Sequence, residues 1–523
     1  MKKVIWISFL IVMLSSFKEP LTGKTQKAIQ IIPKPREITV LSGTFEMTDN
    51  TSIKADQVLV LKAEQLRAYL SPASGYMLPI NKKNAEENII ELKLTDDLSS
   101  LGEEGYKLNI TNKKVLITAY RPKGIFWGIQ TLRQLFPDEI LRKAKVDNVE
   151  WILPCVNIVD KPRFNWRGLM IDYSRTFWNK SQTEKYIDAI SFYKMNKLHM
   201  HLTDDQGWRI EINKYPDLTK IASKFDTIYH EPPEREGYYS KEDIRELVRY
   251  AEARNVEIIP EIEMPGHTSE VFAAYPGLSC TGETLSIHPF FKGPEVNDDV
   301  LCAGKDETIK FLENVLSEII ELFPSEYVHI GGDECPKTRW EKCPLDQKRI
   351  KDEGLKNEQE LQSWFIRRIE KYLNSEGKKL IGWDEIIEGG LSKTATMMFW
   401  RGDQNVLLAA LNQGNDVIMT PTSYCYFDYP YKVISTEKVY SFEPLSDKLK
   451  KVNPEHILGV QANFWSHIDR SEPTMDRQIF PRILALAEVG WTEAVNRNWD
   501  NFSLRLKHHN KSLDLLNIYH MIN

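Results

Sequence analysis

Tyr327-Val-His-Ile-Gly-Gly-Asp-Glu-Cys-Pro336 is the stretch on which the reading of this chain turns. Tyr327, Val328 and Ile330 make a short buried strand. It runs into two glycines and then two adjacent carboxylates, Asp333 and Glu334. Glycines at a strand end permit close backbone approach and dihedral angles closed to other residues. Neighbouring carboxylates in a half-buried place repel each other, which pushes one towards its neutral, proton-donating form. A lone Asp-Glu pair is ordinarily a solvated acidic turn. Here it follows an apolar strand, and similar punctuation recurs along the chain.

From Trp166 onward, short apolar strand candidates alternate with amphipathic helices. The strands fall at 167–173, 197–203, 256–262, 327–332, 379–384, 395–400, 416–420 and 456–463. Helix starts are signalled by Ser181-Gln-Thr-Glu184 and Ser240-Lys-Glu-Asp243, both of capping-box type. Eight strands alternating with helices over roughly 330 residues predict an α/β fold, a (β/α)8 or TIM barrel. A doubly wound open sheet is the alternative, but no GxGxxG or P-loop follows the first strand. The strands end in polar or aromatic residues: Asp172 and Arg175; Asp204, Asp205 and Trp208; Glu261, Glu263 and His267; Asp333 and Glu334; Trp383 and Asp384; Trp400 and Arg401; Trp465. A barrel gathers the carboxyl ends of its strands at one mouth. Side chains spread over three hundred positions would thus converge on one pocket.

Residues 161–500 are assigned to the barrel and 501–523 to a C-terminal helix packed on it. Residues 28–160 read as a small α+β domain without reactive side chains, a support for the barrel. It includes a hairpin over 110–118 and a helix over 124–136. The first 23 residues combine a basic start, an apolar run over 4–17 and small residues, the pattern of a secretory signal peptide. Fourteen residues fall short of the ~20 a spanning helix needs. Export to the periplasm, cell surface or medium is therefore expected, with no stable membrane span.

The chain has 523 residues, 42% of them hydrophobic and 27% charged, and a net charge of −6. It offers no basic footprint for nucleic acid. Its 13 Trp and 21 Tyr include enough rings to stack on sugars, although most aromatic side chains are core. Of the six cysteines, Cys280 with Cys302 and Cys335 with Cys343 are sequence-near pairing options. None sits in a CxxC pattern, so neither a metal site nor any other cofactor is expected.

Carboxylates and aromatic platforms without a nucleotide motif suggest glycoside chemistry. Glu334 would be the general acid. Asp333, its immediate neighbour, cannot easily take the opposite face of the same sugar, so positioning a substrate group suits it better. The chain resembles the family-20 glycoside hydrolases, the β-N-acetylhexosaminidases, over nearly its full length. The resemblance rests on His329-Ile-Gly-Gly-Asp-Glu334, Asp172-Tyr-Ser-Arg-Thr-Phe177, His201-Leu-Thr-Asp-Asp-Gln-Gly-Trp208 and Pro260-Glu-Ile-Glu-Met-Pro-Gly-His267. Gly382-Trp-Asp384, Tyr426-Phe-Asp428, Phe480-Pro-Arg482 and Ala487-Glu488 complete it.

The resemblance implies exo-acting, retaining, substrate-assisted removal of terminal GlcNAc or GalNAc from an oligosaccharide or glycoconjugate. The sugar's own 2-acetamido oxygen would be the nucleophile. Asp333 would orient the acetamido N–H, Glu334 would act as acid and then base, and Tyr426 would hydrogen-bond the acetamido oxygen. Asp204 and His267 match a pair supporting the acid's protonation. Arg175 would grip hydroxyls, Trp364, Trp383 and Trp465 would wall the pocket, and Asp428 would contact outer hydroxyls. One departure stands out: His467 occupies a position where the family usually has Glu. It suggests an altered preference at the sugar's 4- or 6-position, with tolerance of an anionic substituent. Gln461, where Glu is also common, is a milder change.

Two other functions compete. His199-Met-His201 puts two imidazoles on one strand face, a pattern a metal-dependent barrel amidohydrolase could use with His267 and Asp333. Against it, Asp204-Asp205-Gln-Gly-Trp208 comes next instead of further ligands. A non-catalytic sugar-binding barrel would be expected to lose Asp333 or Glu334, and both are present.

Overall fold

The computed structural model describes residues 29–83, 87–468 and 470–522. The signal-peptide assignment lies outside these residues. An N-terminal sheet of six strands runs in the spatial order Glu37–Glu46, Ile152–Asp160, Tyr106–Ile110, Lys114–Ala119, Ile89–Leu94, Ser52–Ala55. The hairpin lies at 106–119, where Ile110 pairs with Val115. The helix Pro122–Leu135 starts on a proline and buries Ile125, Phe126, Ile129 and Leu132 against the sheet. Proline suits a first turn, where its missing N–H has no helical acceptor to serve.

The second unit is a closed barrel of eight parallel strands: Trp166–Asp172, Lys197–His201, Glu257–Glu261, Tyr327–His329, Lys379–Trp383, Thr396–Phe399, Val417–Met419 and Ile457–Phe464. Every residue of the first strand is buried. Parallel strands covered on both faces read as continuous apolar runs for this reason. Of the two expected capping boxes, Ser240 with Asp243 is present. The other is displaced: Asn179, not Ser181, caps the helix Lys180–Phe192 and pairs with Gln182. Ser181 instead donates its hydroxyl to the Asn179 side chain at 2.7 Å.

The two units are joined by buried polar contacts. Lys194, from the barrel, reaches Asp160 Oδ2 at 2.9 Å and the Tyr106 hydroxyl at 2.9 Å. Trp491 donates to Asp160 Oδ1 at 2.9 Å. The last helix, Trp499–Leu515, closes the same seam, with Arg505 forked onto Glu488 through two 2.7 Å contacts and donating to the Ile31 carbonyl at 2.8 Å. Removing one partner from a buried ion pair costs about 3–5 kcal/mol, so the small domain is fixed to the barrel and not merely tethered to it.

Candidate active site

Beneath the barrel mouth lies a charged layer centred on Glu261. Its carboxylate meets His199 Nε2 at 2.9 Å and His329 Nδ1 at 2.8 Å, contacts His201 Nδ1 closely, and accepts from Trp383 Nε1 at 2.9 Å. His199 and His201 do share one strand face, and both are turned to this carboxylate below the pocket. Burial drives the His199 pKa down to about 4. Burial also opposes charge on His201, but Glu261 and Asp204 outweigh it and lift that ring to about 10.

The strand that carries the acid pair needs both of its glycines. Gly331 and Gly332 have φ of +66° and +92°. A Cβ on Gly331 would stand 1.7 Å from Glu263 Oε1, which accepts the Gly332 N–H at 3.0 Å. The backbone thus passes over a buried carboxyl whose pKa is raised by burial and by the nearby Asp333 and Glu261. Glu334 itself has φ of 38° and His267 φ of 50°. Such backbone costs on the order of 1–3 kcal/mol per residue and persists where the surrounding structure enforces it, as at active sites.

Asp333 is 9% exposed, and its Oδ1 has no hydrogen-bond partner among the described residues. Burial pushes its carboxyl up to about 6, with Glu261 and Glu334 adding to the rise and His267 opposing it. Glu334 behaves oppositely: a hydrogen bond from His267 is the main reason its pKa is lowered. In the free pocket the raised carboxyl is therefore Asp333, not the expected proton donor Glu334.

His267 is the link. Its Nε2 lies 3.4 Å from Glu334 Oε2, and its Nδ1 lies 3.3 Å from Asp204 Oδ1 and 3.1 Å from Asp205 Oδ2. Burial disfavours its charge, but these carboxylates prevail and keep the ring protonated well above the ordinary range. Asp205, placed at the strand end by the sequence but given no role there, shares the role expected of Asp204. It is fixed by the Ser269 N–H at 3.0 Å and hydroxyl at 2.6 Å. Asp204 is tied at 2.6 Å to Arg175, which also donates to Gln206 at 2.8 Å. Asp172 holds the turn below by accepting the Ser174, Arg175 and Ser466 N–H groups.

Above these groups opens a cavity of about 480 Å³ lined by Arg175, His267, Asp333, Glu334, Trp400, Tyr426, Asp428, Trp465 and His467, with Phe290 and Glu295 from the loop after the third strand. Tyr426 stacks on Trp400 with ring centroids 5.9 Å apart. Trp465 backs Arg175, whose guanidinium lies 5.0 Å from the ring. Asp428 Oδ1 is buried without a partner among the described residues, and burial raises its carboxyl to about 7. The loop bearing Tyr426 and Asp428 is braced by Arg482, which donates to the carbonyls of Phe427, Tyr429 and Ile434.

Two of the expected walls are corrected. Trp364 sits on the outer helix Glu358–Ser375, over Arg349, and lines a different cavity. The third ring of the pocket is Trp400, fixed by Nε1 donating to Glu385 at 2.9 Å and by its backbone N–H on Asp384 at 3.0 Å. Its signal was its place at a strand's carboxyl end. Trp383 is 1% exposed and stands behind Trp465, below the cavity. His467 does line the pocket, 4.7 Å from the Phe290 ring, but burial and then Arg175 hold its pKa down to about 4. The ring is therefore neutral at pH 7, so it adds no charge of its own to that of Arg175 in attracting an anionic substituent.

The arrangement offers a protonated His on one carboxylate, a second carboxylate with a free buried oxygen, an Arg, and the rings of Trp400, Tyr426 and Trp465 around a cavity of about 480 Å³. Residues 164–494 match the family model for the glycosyl hydrolase family 20 catalytic domain, and residues 28–161 match that family's domain 2. The chain is 40% identical over 513 residues to a beta-hexosaminidase of Porphyromonas gingivalis, across 95% of this chain and 65% of that protein. It thus spans about two thirds of that relative's length. A beta-hexosaminidase of Akkermansia muciniphila is 33% identical, over 80% of this chain and 86% of its own. The crystal structure of a beta-N-acetylhexosaminidase from Bacteroides fragilis superposes with a TM-score of 0.82 at 32% identity, covering 94% of this chain and 96% of the other. The match to both family domains, with the acid pair of 333–334 at the centre of the mouth, places this chain in glycosyl hydrolase family 20.

Proposed function

We propose that the chain is an exo-acting retaining β-N-acetylhexosaminidase that removes terminal GlcNAc or GalNAc by substrate-assisted hydrolysis. The observation that carries this reading is the unpartnered buried oxygen of Asp333 beside Glu334. A nucleophile on the opposite sugar face would not need to adjoin the acid, whereas a group that accepts an acetamido N–H does. In the first step the substrate's acetamido oxygen attacks the anomeric carbon as the bond to the leaving oxygen breaks. Glu334 gives that oxygen its proton, and Asp333 faces the positive charge developing on the oxazolinium ring. In the second step water attacks the anomeric carbon, Glu334 takes its proton, and the acetamido group is restored.

Glu334 must be protonated for the first step, although His267 favours its anion in the free pocket. Its side chain is 44% exposed, so water solvates the carboxylate. A sugar and aglycone seated over it displace that water, and desolvation raises a carboxyl pKa. Tyr426 is placed to donate to the acetamido oxygen, Arg175 and Asp428 to hold hydroxyls, and Trp400 and Trp465 to wall the ring. Among the described residues no helix is long and apolar enough to cross a membrane. Export is supported by the basic and apolar start of the sequence, and the natural substrate by the pocket alone: a glycan or glycoconjugate ending in N-acetylhexosamine.

The full chain should release nitrophenol from the aryl β-glycosides of GlcNAc and GalNAc and leave the β-glucoside intact, since glucose lacks the internal nucleophile. Hydrolysis of the glucoside at a comparable rate would overturn the mechanism. Tight binding of GlcNAc without turnover would revive a binding role.

A further inference from the structure

We infer that Cys280, Cys302, Cys343 and Asp346 form a binding site for a single zinc ion that pins the pocket-covering loop to the barrel. No CxxC pattern marks them, and the four residues come from three separate segments: the two ends of the loop after the third strand, and the start of the helix Pro344–Asp352. The fold brings one ligand atom of each to within 4.8 Å of the others. All six cysteines are unbridged.

The spacing suits a tetrahedral ion. A Zn–S bond of about 2.3 Å sets a sulfur–sulfur edge of about 3.8 Å, and with a Zn–O bond of about 2.0 Å a sulfur–oxygen edge of about 3.5 Å. Cys302 Sγ lies 3.8 Å from Cys343 Sγ, and 3.4 and 3.5 Å from the two Asp346 oxygens. Cys280 Sγ lies closer to Asp346 Oδ2, at 3.0 Å. Asp346 is fully buried, and among the described residues no Lys, Arg or His comes within 4.0 Å of its carboxylate. Its donors are two thiols and the Gly304 N–H at 2.5 Å. A buried carboxylate without a cation is costly, and a divalent ion would supply the missing charge. Three cysteine sulfurs and a carboxylate whose ligand atoms all lie within 4.8 Å of one another select zinc over the oxygen-seeking ions. Cys280 is half-buried at the edge, which leaves a path of entry.

Phe290, Glu295 and Val296, which line the sugar cavity, lie between Cys280 and Cys302. The ion would therefore close the base of the loop that covers the substrate, without touching the reacting atoms.

The test uses the full chain, purified without chelator or added metal and then denatured for metal and thiol counts. About one zinc per chain and six titratable thiols are expected after chelation. Four thiols and no zinc would mean that a Cys pair, such as Cys280 with Cys302, is bridged instead, and would overturn the proposal. Cobalt(II) added to the stripped protein should give the intense absorption of a tetrahedral thiolate complex. Cys280→Ser and Asp346→Asn should each weaken that binding by at least about 10-fold, while Cys425→Ser, buried elsewhere, leaves it unchanged. Cobalt binding indifferent to Cys280→Ser and Asp346→Asn would also refute the site. Because the loop, not the acid pair, depends on the ion, stripping should raise KM for the GlcNAc glycoside several-fold with kcat nearly kept.

Discussion

Asp333→Asn is the substitution on which the mechanism stands or falls. Asn keeps the volume and one acceptor oxygen but removes the charge. The Asp333 carboxyl is 9% exposed, its Oδ1 is free, and it titrates near 6, so at pH 7 it is mostly an anion held at some cost by its surroundings. Facing a full positive charge about 4 Å away at an effective dielectric of about 20, that anion contributes about 4 kcal/mol. With half to all of the charge developed in the transition state, the loss is about 2–4 kcal/mol, or roughly 30- to 1,000-fold in kcat. The assay is steady-state kinetics on aryl β-GlcNAc substrates from pH 4 to 9. The wild-type kcat/KM should fall as pH drops through about 6, because protonation of Asp333 removes the charge the step requires. Asp333→Asn should lose both the rate and that acid limb. A variant within about threefold of wild-type kcat, with the limb in place, would refute the role given to Asp333.

Other residues carry their own expected outcomes. His467→Glu puts an anion in a place now held by a neutral ring beside Arg175, so the ratio of rates on GlcNAc, GalNAc and 6-sulfated substrates should change; an unchanged ratio would remove His467 from specificity. Gly331→Ala drives a methyl into Glu263 at a left-handed φ and should cost on the order of 3 kcal/mol, read as a lower melting temperature together with lost activity. His201 has its folded pKa raised to about 10 from an ordinary 6.5. Its charge therefore supports the fold fully below about 6.5, and that support is lost as pH rises through about 10. The wild-type melting temperature should decline across this window more steeply than that of His201→Gln.

The barrel was legible because its strands are buried on both faces. Trp166–Asp172 is buried along its length and polar at its end, and six of the seven later strands repeat that punctuation. What escaped reading depends on which way a face turns after the chain has folded. Trp364 has the spacing of a helical core residue, and its helix turns it to Arg349 on the outside. Ser181 lost its cap to Asn179 because either polar residue can start a helix and only the approach of the preceding chain decides. Asp204 and Asp205 are neighbours in sequence, and the tight hairpin Thr203–Asp204 with Gly207–Trp208 lets both approach one imidazole. The cysteine cluster joins segments tens of residues apart, a closeness no local pattern encodes.

The charged layer under the pocket also has a physical consequence. Barrel interiors are normally filled by branched apolar side chains, yet here Glu261 stands among three histidines and an indole. Ion pairs buried this deeply contribute little net stability compared with an apolar core. Their effect is on orientation. Glu261 holds His201, whose other nitrogen lies 2.8 Å from Asp204, and Asp204 in turn fixes Arg175 and contacts His267, which touches Glu334. Each link has its partner before substrate arrives, so the donors and charges facing the sugar need little reorganisation during reaction. Preorganisation of this kind is where most electrostatic rate enhancement originates. Substituting Glu261 by Gln, which cannot serve all three rings as an anion, should accordingly lower kcat through Arg175 and His267 although Glu261 lies below the cavity. If kcat held while only the melting temperature fell, the layer would be structural alone.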